Sequence, residues 1–358
     1  MVSMLDQSRR RNLSAAPFLE AAAGRTPSRT PVWFMRQAGR SLPEYRRVRE
    51  GIAMLDSCFD PALLAEITMQ PVRRHDVDAA ILFSDIVVPL KAAGIAVDIV
   101  PGRGPVIANP VTTAADVAAL PVLDHEIDEV AQGIALILEE LSDTQALIGF
   151  VGAPFTLASY LVEGGPSKNH ERTKALMHSD PSVWHALMER ITTTVIRFLH
   201  TQVSAGIDAM QLFDSWAGFL TERDYRAHVL PYSKQILDSV AGMIPRIHFG
   251  VATGELLPAM ATAGSEVMGV DWRTPLDVAA SRIAAAAGPK VLQGNLDPAL
   301  LFAGAEPLQA EINLITQQAR TAIAAGHATG HIFNLGHGVL PSTDPQAITD
   351  AVAMIHQQ

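Results

Sequence analysis

Eight short apolar runs recur along the whole chain, and no other feature restricts its fold so strongly. They are Val32–Met35, Ala79–Phe83, Ala146–Val151, Ala209–Phe213, Arg246–Gly250, Val267–Val270, Val291–Gly294 and Ile332–Leu335. Each is too short for a helix and apolar on both faces, the pattern of a strand buried in a parallel sheet. The stretches between them are mostly long enough for a helix, and the later runs follow an Ala-Gly pair: 205–206, 241–242, 263–264, 287–288 and 325–326. Glycine just past a helix end accepts the left-handed conformation that stops the helix. Helical spacing is plain in Pro181–Ser204, with Asp180 as N-cap and Pro181 as first helical residue, and in Leu308–Ala324. Eight strand–helix units without a Gly/Ser-rich linker predict a single (β/α)8 TIM barrel. A doubly wound sheet is the rival, but neither a G-x-G-x-x-G nor a G-x-x-x-x-G-K-[ST] motif is present to favour it.

A chain of 358 residues suits either two domains or one large barrel, and 48% hydrophobic against 18% charged residues excludes disorder. No run of apolar residues is long enough to span a membrane. The net charge of −10 repels nucleic acid, anionic membranes and polyanions unless basic groups are concentrated locally. A single cysteine, Cys58, excludes intrachain disulfides and Cys-rich metal sites and fits a reducing compartment. The first twelve residues lack the apolar core of a secretory signal and read as a flexible arm whose Arg9, Arg10 and Arg11 are solvated.

Barrel active sites are built at the C-terminal ends of strands. The residues after these runs are unusually polar: Arg36-Gln37-Ala38-Gly39-Arg40, Ser84-Asp85, Gly152–Thr156, Asp214-Ser215-Trp216, Ala252–Glu255, Asp271-Trp272-Arg273, Asn295–Pro298 and Gly336-His337-Gly338. Residues 31–50 carry five arginines and no lysine against two glutamates, a net +3 inside an acidic chain. Arginine beside glycine at a strand end points to bidentate grip on carboxylate or phosphate. Arg36 and Arg40 take that role, while Arg46 and Arg47 read as surface ion-pairing residues on a helix. Asp85 would place a carboxylate in the mouth, to be met by an arginine or by N–H donors of a ligand. His75, His178, His185, His200 and His228 fall in helical stretches as surface or core residues, and His248 in a strand as core. No serine elbow, HExxH, Schiff-base lysine or metal-spaced His/Asp cluster is evident, which leaves an anion-binding site with no metal or cofactor.

Pro31–Arg40, Gly152–Leu157 running on to Tyr160 and Glu163–Gly165, Phe83–Asp85, Phe213–Gly218, Gly294–Asp297 and Asn334–Gly338 resemble the uroporphyrinogen decarboxylase family from about Leu13 to Ile355. The resemblance implies a cytoplasmic, homodimeric (β/α)8 barrel spanning residues 13–358, working without metal or cofactor on uroporphyrinogen III. It implies substrate contacts from Arg36, Gln37, Ala38, Gly39, Arg40, Asp85, Tyr160, Ser215 and His337, with Arg36, Asp85 and Tyr160 catalytic; Arg49 matches a further basic position less securely. The implied reaction removes four acetate carboxylates as carbon dioxide. Protonation of a pyrrole α-carbon supplies the electron sink, and a buried anion stabilises the cationic ring. Asp85 fits the anion; the proton donor stays open between Arg36 and Asp85. Two rivals are a corrinoid-dependent zinc methyltransferase, which lacks a C-terminal Cys ligand here, and a non-catalytic tetrapyrrole carrier.

Overall fold

The computed structural model describes residue 11, residue 13, residues 15–39 and residues 41–358. Strands β1 (Ala79–Ile81), β4 (Ala146–Gly152), β5 (Ala209–Asp214), β6 (Arg246–Gly250), β7 (Val267–Gly269), β8 (Lys290–Gln293) and β9 (Ala328–Ile332) pair in parallel, each with the next, in one curled sheet. Residues 31–35 stand between β9 and β1 and close it. The Phe333 N–H donates to Pro31 O at 2.8 Å, the Trp33 N–H to Phe333 O at 3.3 Å, and the Asp78 N–H to Val32 O at 2.9 Å. The result is a (β/α)8 barrel with an irregular eighth stave.

That stave corrects the expectation of a regular strand at Val32–Met35, where only a single parallel bridge, Val32 to Phe333, is formed. Its amides are taken by side chains in place of carbonyls: Val32 N–H by Asp78 Oδ2 (2.8 Å), Phe34 N–H by Gln37 Oε1 (2.9 Å) and Met35 N–H by Asn334 Oδ1 (3.0 Å). Asp78, 1% exposed, also accepts from Arg29 (2.8 Å) and lies 2.9 Å from His356 Nε2 in the last turn of helix Pro345–His356. The last strand also differs: β9 ends at Ile332, where the expected run begins. Its sequence, Ala-Thr-Gly-His-Ile, is half polar, because Thr329 and Gly330 pack against Gly24 and Ala21 at the barrel's foot. An antiparallel hairpin, β2 (Val97–Val100) with β3 (Gly104–Ile107), lies outside the expected units.

The helix signals are realised. Asp180 accepts from the Val183 N–H at 3.1 Å and caps helix Pro181–Ala205, and all five Ala-Gly glycines adopt positive φ, from +72° to +110°. One apolar layer lies between sheet and helices. A second fills the barrel with Trp33, Met35, Ile81, Ile148, Ile247, Phe249 and the small Ala79, Ala146 and Ala209. Helix Pro17–Ala22 inserts Phe18 into this inner layer and so plugs the foot of the barrel. A polar thread crosses the inner layer: Trp33 Nε1 donates to Gln293 Oε1 (3.1 Å) and Gln293 Nε2 to Gln211 Oε1 (2.8 Å).

Arg11 departs from the solvated arm expected of it. It donates to the carbonyls of Leu141, Ser142 and Gln145 and pairs with Asp208 at 2.6 Å. Arg9, Arg10 and the rest of the arm before Arg11 lie outside the described residues, as does position 12. Among the described residues no helix is long and apolar enough to cross a membrane.

Candidate active site

The closing stave ends in a tight turn, and Arg36 sits on it with φ +60°. A non-glycine residue there costs about 1–3 kcal/mol, so the surroundings must hold it. Gln37 does so. It is fully buried, its Oε1 accepts from Phe34 and its Nε2 donates to Ala79 O at 3.0 Å, which leaves Arg36 exposed above the barrel. The Gln37 side chain, expected against substrate, is therefore committed within the chain. Ala38 is half-buried against the outer core, and the Gly39 carbonyl accepts from Leu42 N–H at 3.0 Å. Arg40 lies outside the described residues.

The loop after β9 threads His337 between Trp272 and Arg36. A Cβ on Gly336 would lie 2.2 Å from the Trp272 backbone nitrogen, and one on Gly338 would lie 2.4 Å from Arg36 Cδ. Only glycines permit so close an approach. The Val339 N–H donates to Met35 O (2.8 Å), tying the loop to the turn that carries Arg36. The Gly338 N–H donates to His337 Nδ1 (2.7 Å), so in the neutral ring Nε2 bears the proton. Burial, followed by the Arg36 charge, holds this imidazole below its ordinary pKa. His337 is thus a neutral hydrogen-bond donor beside a permanent cation.

Asp85 follows β1 and is half-buried, its Oδ1 accepting from the Val87 N–H at 3.1 Å. Burial pushes its carboxyl above the usual range, while the Val87 amide and the Arg36 charge pull the other way. Tyr160 is buried on helix Pro154–Glu163, and its phenol is pushed up to about 12 by burial and then by the negative charge of Asp85. Arg36 bears on Asp85, Tyr160 and His337 alike, so four of the expected residues share one electrostatic neighbourhood. Ser215 follows β5, half-buried beside Trp216, whose ring lies 6.1 Å from that of Tyr160. The Trp216 N–H donates to Thr156 Oγ1 and Thr156 Oγ1 to the fully buried Asp214, both at 3.2 Å, which fixes the Ser215 turn.

Arg49 turns away from this group. Arg49 donates to Ile52 O (2.8 Å), Ser57 Oγ (2.7 Å) and Tyr45 Oη (3.2 Å), stapling its own loop. Arg46 and Arg47 are exposed on helix Pro43–Val48. Arg273 is the basic residue that sequence reasoning passed over. Its guanidinium stacks 3.8 Å from the Trp272 ring centroid, lies 2.9 Å from Asp271 Oδ2, and adds to the positive field at His337. Its signal was its strand-end position two residues after Asp271.

Residues 13–358 match the profile of the family described as Uroporphyrinogen decarboxylase (URO-D). The chain belongs to that family. A uroporphyrinogen decarboxylase of Corynebacterium efficiens is 74% identical over 357 residues, covering 99% of each chain, and one of Rhodococcus erythropolis is 66% identical, again over 99% of each. Among solved structures, a methyltransferase from Methanosarcina mazei superposes with TM-score 0.78 over 95% of this chain and 97% of its own, at 18% identity. That likeness concerns the fold alone. Asp85 follows β1, Ser215 follows β5 and His337 follows β9, at the C-terminal end of the barrel, where (β/α)8 enzymes act.

Proposed function

We propose that this chain decarboxylates the four acetate arms of uroporphyrinogen III, giving coproporphyrinogen III and four molecules of carbon dioxide in porphyrin biosynthesis, with the residues gathered at the barrel mouth. The family and its close relatives support this carboxy-lyase activity. The observation that carries the assignment of roles is the Asp85 carboxylate, set where Arg36 bears on it as well as on Tyr160 and His337.

Loss of carbon dioxide from an arm leaves an electron pair that needs a sink. Protonation of the adjacent pyrrole carbon makes the ring cationic and supplies one; the exocyclic methylene left by carbon dioxide then takes a proton to become the methyl group, and the ring-carbon proton leaves to restore the pyrrole. In this reading Asp85 is the anion that accepts hydrogen bonds from pyrrole N–H groups and stabilises that cation; partial burial strengthens the attraction. Arg36 and Arg40 grip propionate and acetate groups by paired N–H donors, and His337 adds one from Nε2. Tyr160, whose raised pKa keeps it a phenol, and Ser215 orient the reacting arm by O–H donation. The backbone of Gln37, Ala38 and Gly39 completes the contact surface. The proton donor lies between Arg36 and Asp85; in that role Asp85 starts as the acid and becomes the stabilising anion on giving up its proton.

The reading extends to a barrel domain over residues 13–358 behind an arm at 1–12, working as a cytoplasmic homodimer without metal or cofactor in the reaction. The extent of the family match supports the first part. Sedimentation of the purified chain tests the dimer. For the activity, the protein is incubated anaerobically with uroporphyrinogen and the products are separated by carboxylate number. The wild type accumulates the four-carboxylate product. Asp85→Asn binds substrate within a few-fold of wild type and turns over at most about one hundredth as fast. Near-normal kcat in that variant sinks the role given to Asp85, and tight binding with no product in the wild type would mark a carrier.

A further inference from the structure

We infer that His178, Asp224 and His228 form a binding site for one divalent transition metal of zinc type, on the helical shell outside the barrel mouth. The inference is independent of the decarboxylase chemistry. Asp224 and His228 lie four apart on helix Glu222–His228 and so share a face, and His178 comes from the last turn of helix Glu171–Ser179. One ligand atom from each of the three lies within 4.8 Å of the others. Zinc bonds of about 2.0–2.1 Å in a tetrahedron separate ligand atoms by about 3.3 Å, a contraction that side-chain rotation supplies. His178 is half exposed and free to make it.

The groups around the three leave the needed atoms available. Asp224 Oδ2 faces His178 Nε2 at 3.8 Å, while the outward Arg223 takes the other oxygen, Oδ1, at 3.4 Å. His228 Nδ1 is buried and has no hydrogen-bond partner among the described residues. The His228 carbonyl accepts from Trp184 Nε1 at 3.0 Å, which anchors this helix end. His185, 6.2 Å from His228 ring to ring, is spent on Tyr232 Oη at 2.5 Å. Two imidazoles and one carboxylate suit zinc, cobalt, nickel or copper over magnesium or calcium, which require oxygen ligands.

No metal-spaced cluster is evident in the sequence because the third ligand comes from a separate helix. The two helices follow, in chain order, the segments bearing Tyr160 and Ser215, so a bound ion cross-links the supports of two site residues. The test uses chelator-stripped full-length protein titrated with Zn²⁺ by calorimetry and with Co²⁺ by visible absorption. The expected result is one ion per chain, with binding weakened at least about tenfold in both His178→Gln and His228→Asn. Metal-free decarboxylation is retained in both variants. Should His228→Asn fail to fold, the exposed His178→Gln decides alone. Absence of saturable binding, or equal affinity in wild type and His178→Gln, overturns the site.

Discussion

Gly338→Ala isolates the positioning of Arg36 from its charge. The Gly338 backbone is outside the left-handed region, so alanine is conformationally acceptable there. Its methyl carbon, however, would sit 2.4 Å from Arg36 Cδ and 2.6 Å from Cγ. Carbon atoms prefer about 3.5–4.0 Å, so the arginine stem must retreat by about 1 Å or more. A misplacement of that size at a reacting centre costs about a hundredfold in rate, which is about 2.7 kcal/mol of transition-state stabilisation. The stem can swing outward toward solvent, so the melting temperature should stay close to wild type. The assay is kcat/KM for coproporphyrinogen formation, measured beside thermal unfolding. In an Arg36→Ala background no stem remains to displace, and the alanine at 338 should then cost almost nothing further. A Gly338→Ala enzyme with normal kcat/KM, or one whose loss persists undiminished in the Arg36→Ala background, would refute the reasoning.

Further outcomes follow from other contacts. Arg36→Lys, which loses the forked donor pair, should lower kcat/KM by at least about tenfold more than Arg46→Lys on the exposed helix face; equal losses would show that the segment acts only through bulk charge. His75, 1% exposed and held to about 4 by burial, from an ordinary 6.5, contributes stability that is complete above pH 6.5. That contribution, about 3 kcal/mol, is lost as pH falls toward 4, because the unfolded chain binds the proton first. Urea unfolding across that window should fall less steeply with acid in His75→Asn than in wild type. Gln293→Ala strands the Trp33 indole N–H inside the barrel and should cost about 2–4 kcal/mol in the same assay, with the mouth residues untouched.

Much of this was legible because a (β/α)8 barrel repeats a simple rule eight times. Six of the eight apolar runs overlap regular strands closely, and their last residues led to Asp85 and Ser215. The first and last runs behaved otherwise. Val32–Met35 is apolar like a strand, but Asp78, Gln37 and Asn334 supply acceptors that a carbonyl ladder would supply, and hydropathy does not register such substitution; the run Ile332–Leu335 begins where β9 ends. Tyr160 lies within a helix, away from any strand end, so the position rule could not find it; the resemblance of its motif did. Gln37 enters through the separate Pro31–Arg40 motif; its side-chain amide is spent on Phe34 and Ala79, which the motif does not reveal. The polar residues after β7, including Arg273, were visible at their strand end, yet the stacking on Trp272 that makes Arg273 relevant exists only in three dimensions.

The stave that carries Arg36 has a consequence for how this enzyme can change over evolutionary time. A ladder strand cannot be loosened by point mutation without a proline, because its acceptors are peptide carbonyls that every residue possesses. Three of the four amides from Val32 to Met35 instead depend on the individual side chains of Asp78, Gln37 and Asn334. Single codon changes at those positions can therefore release the support of Arg36 step by step while β1 and β4 to β9 keep their pairing. The stave that leads to Arg36 is adjustable, residue by residue, in a way that the other seven are not.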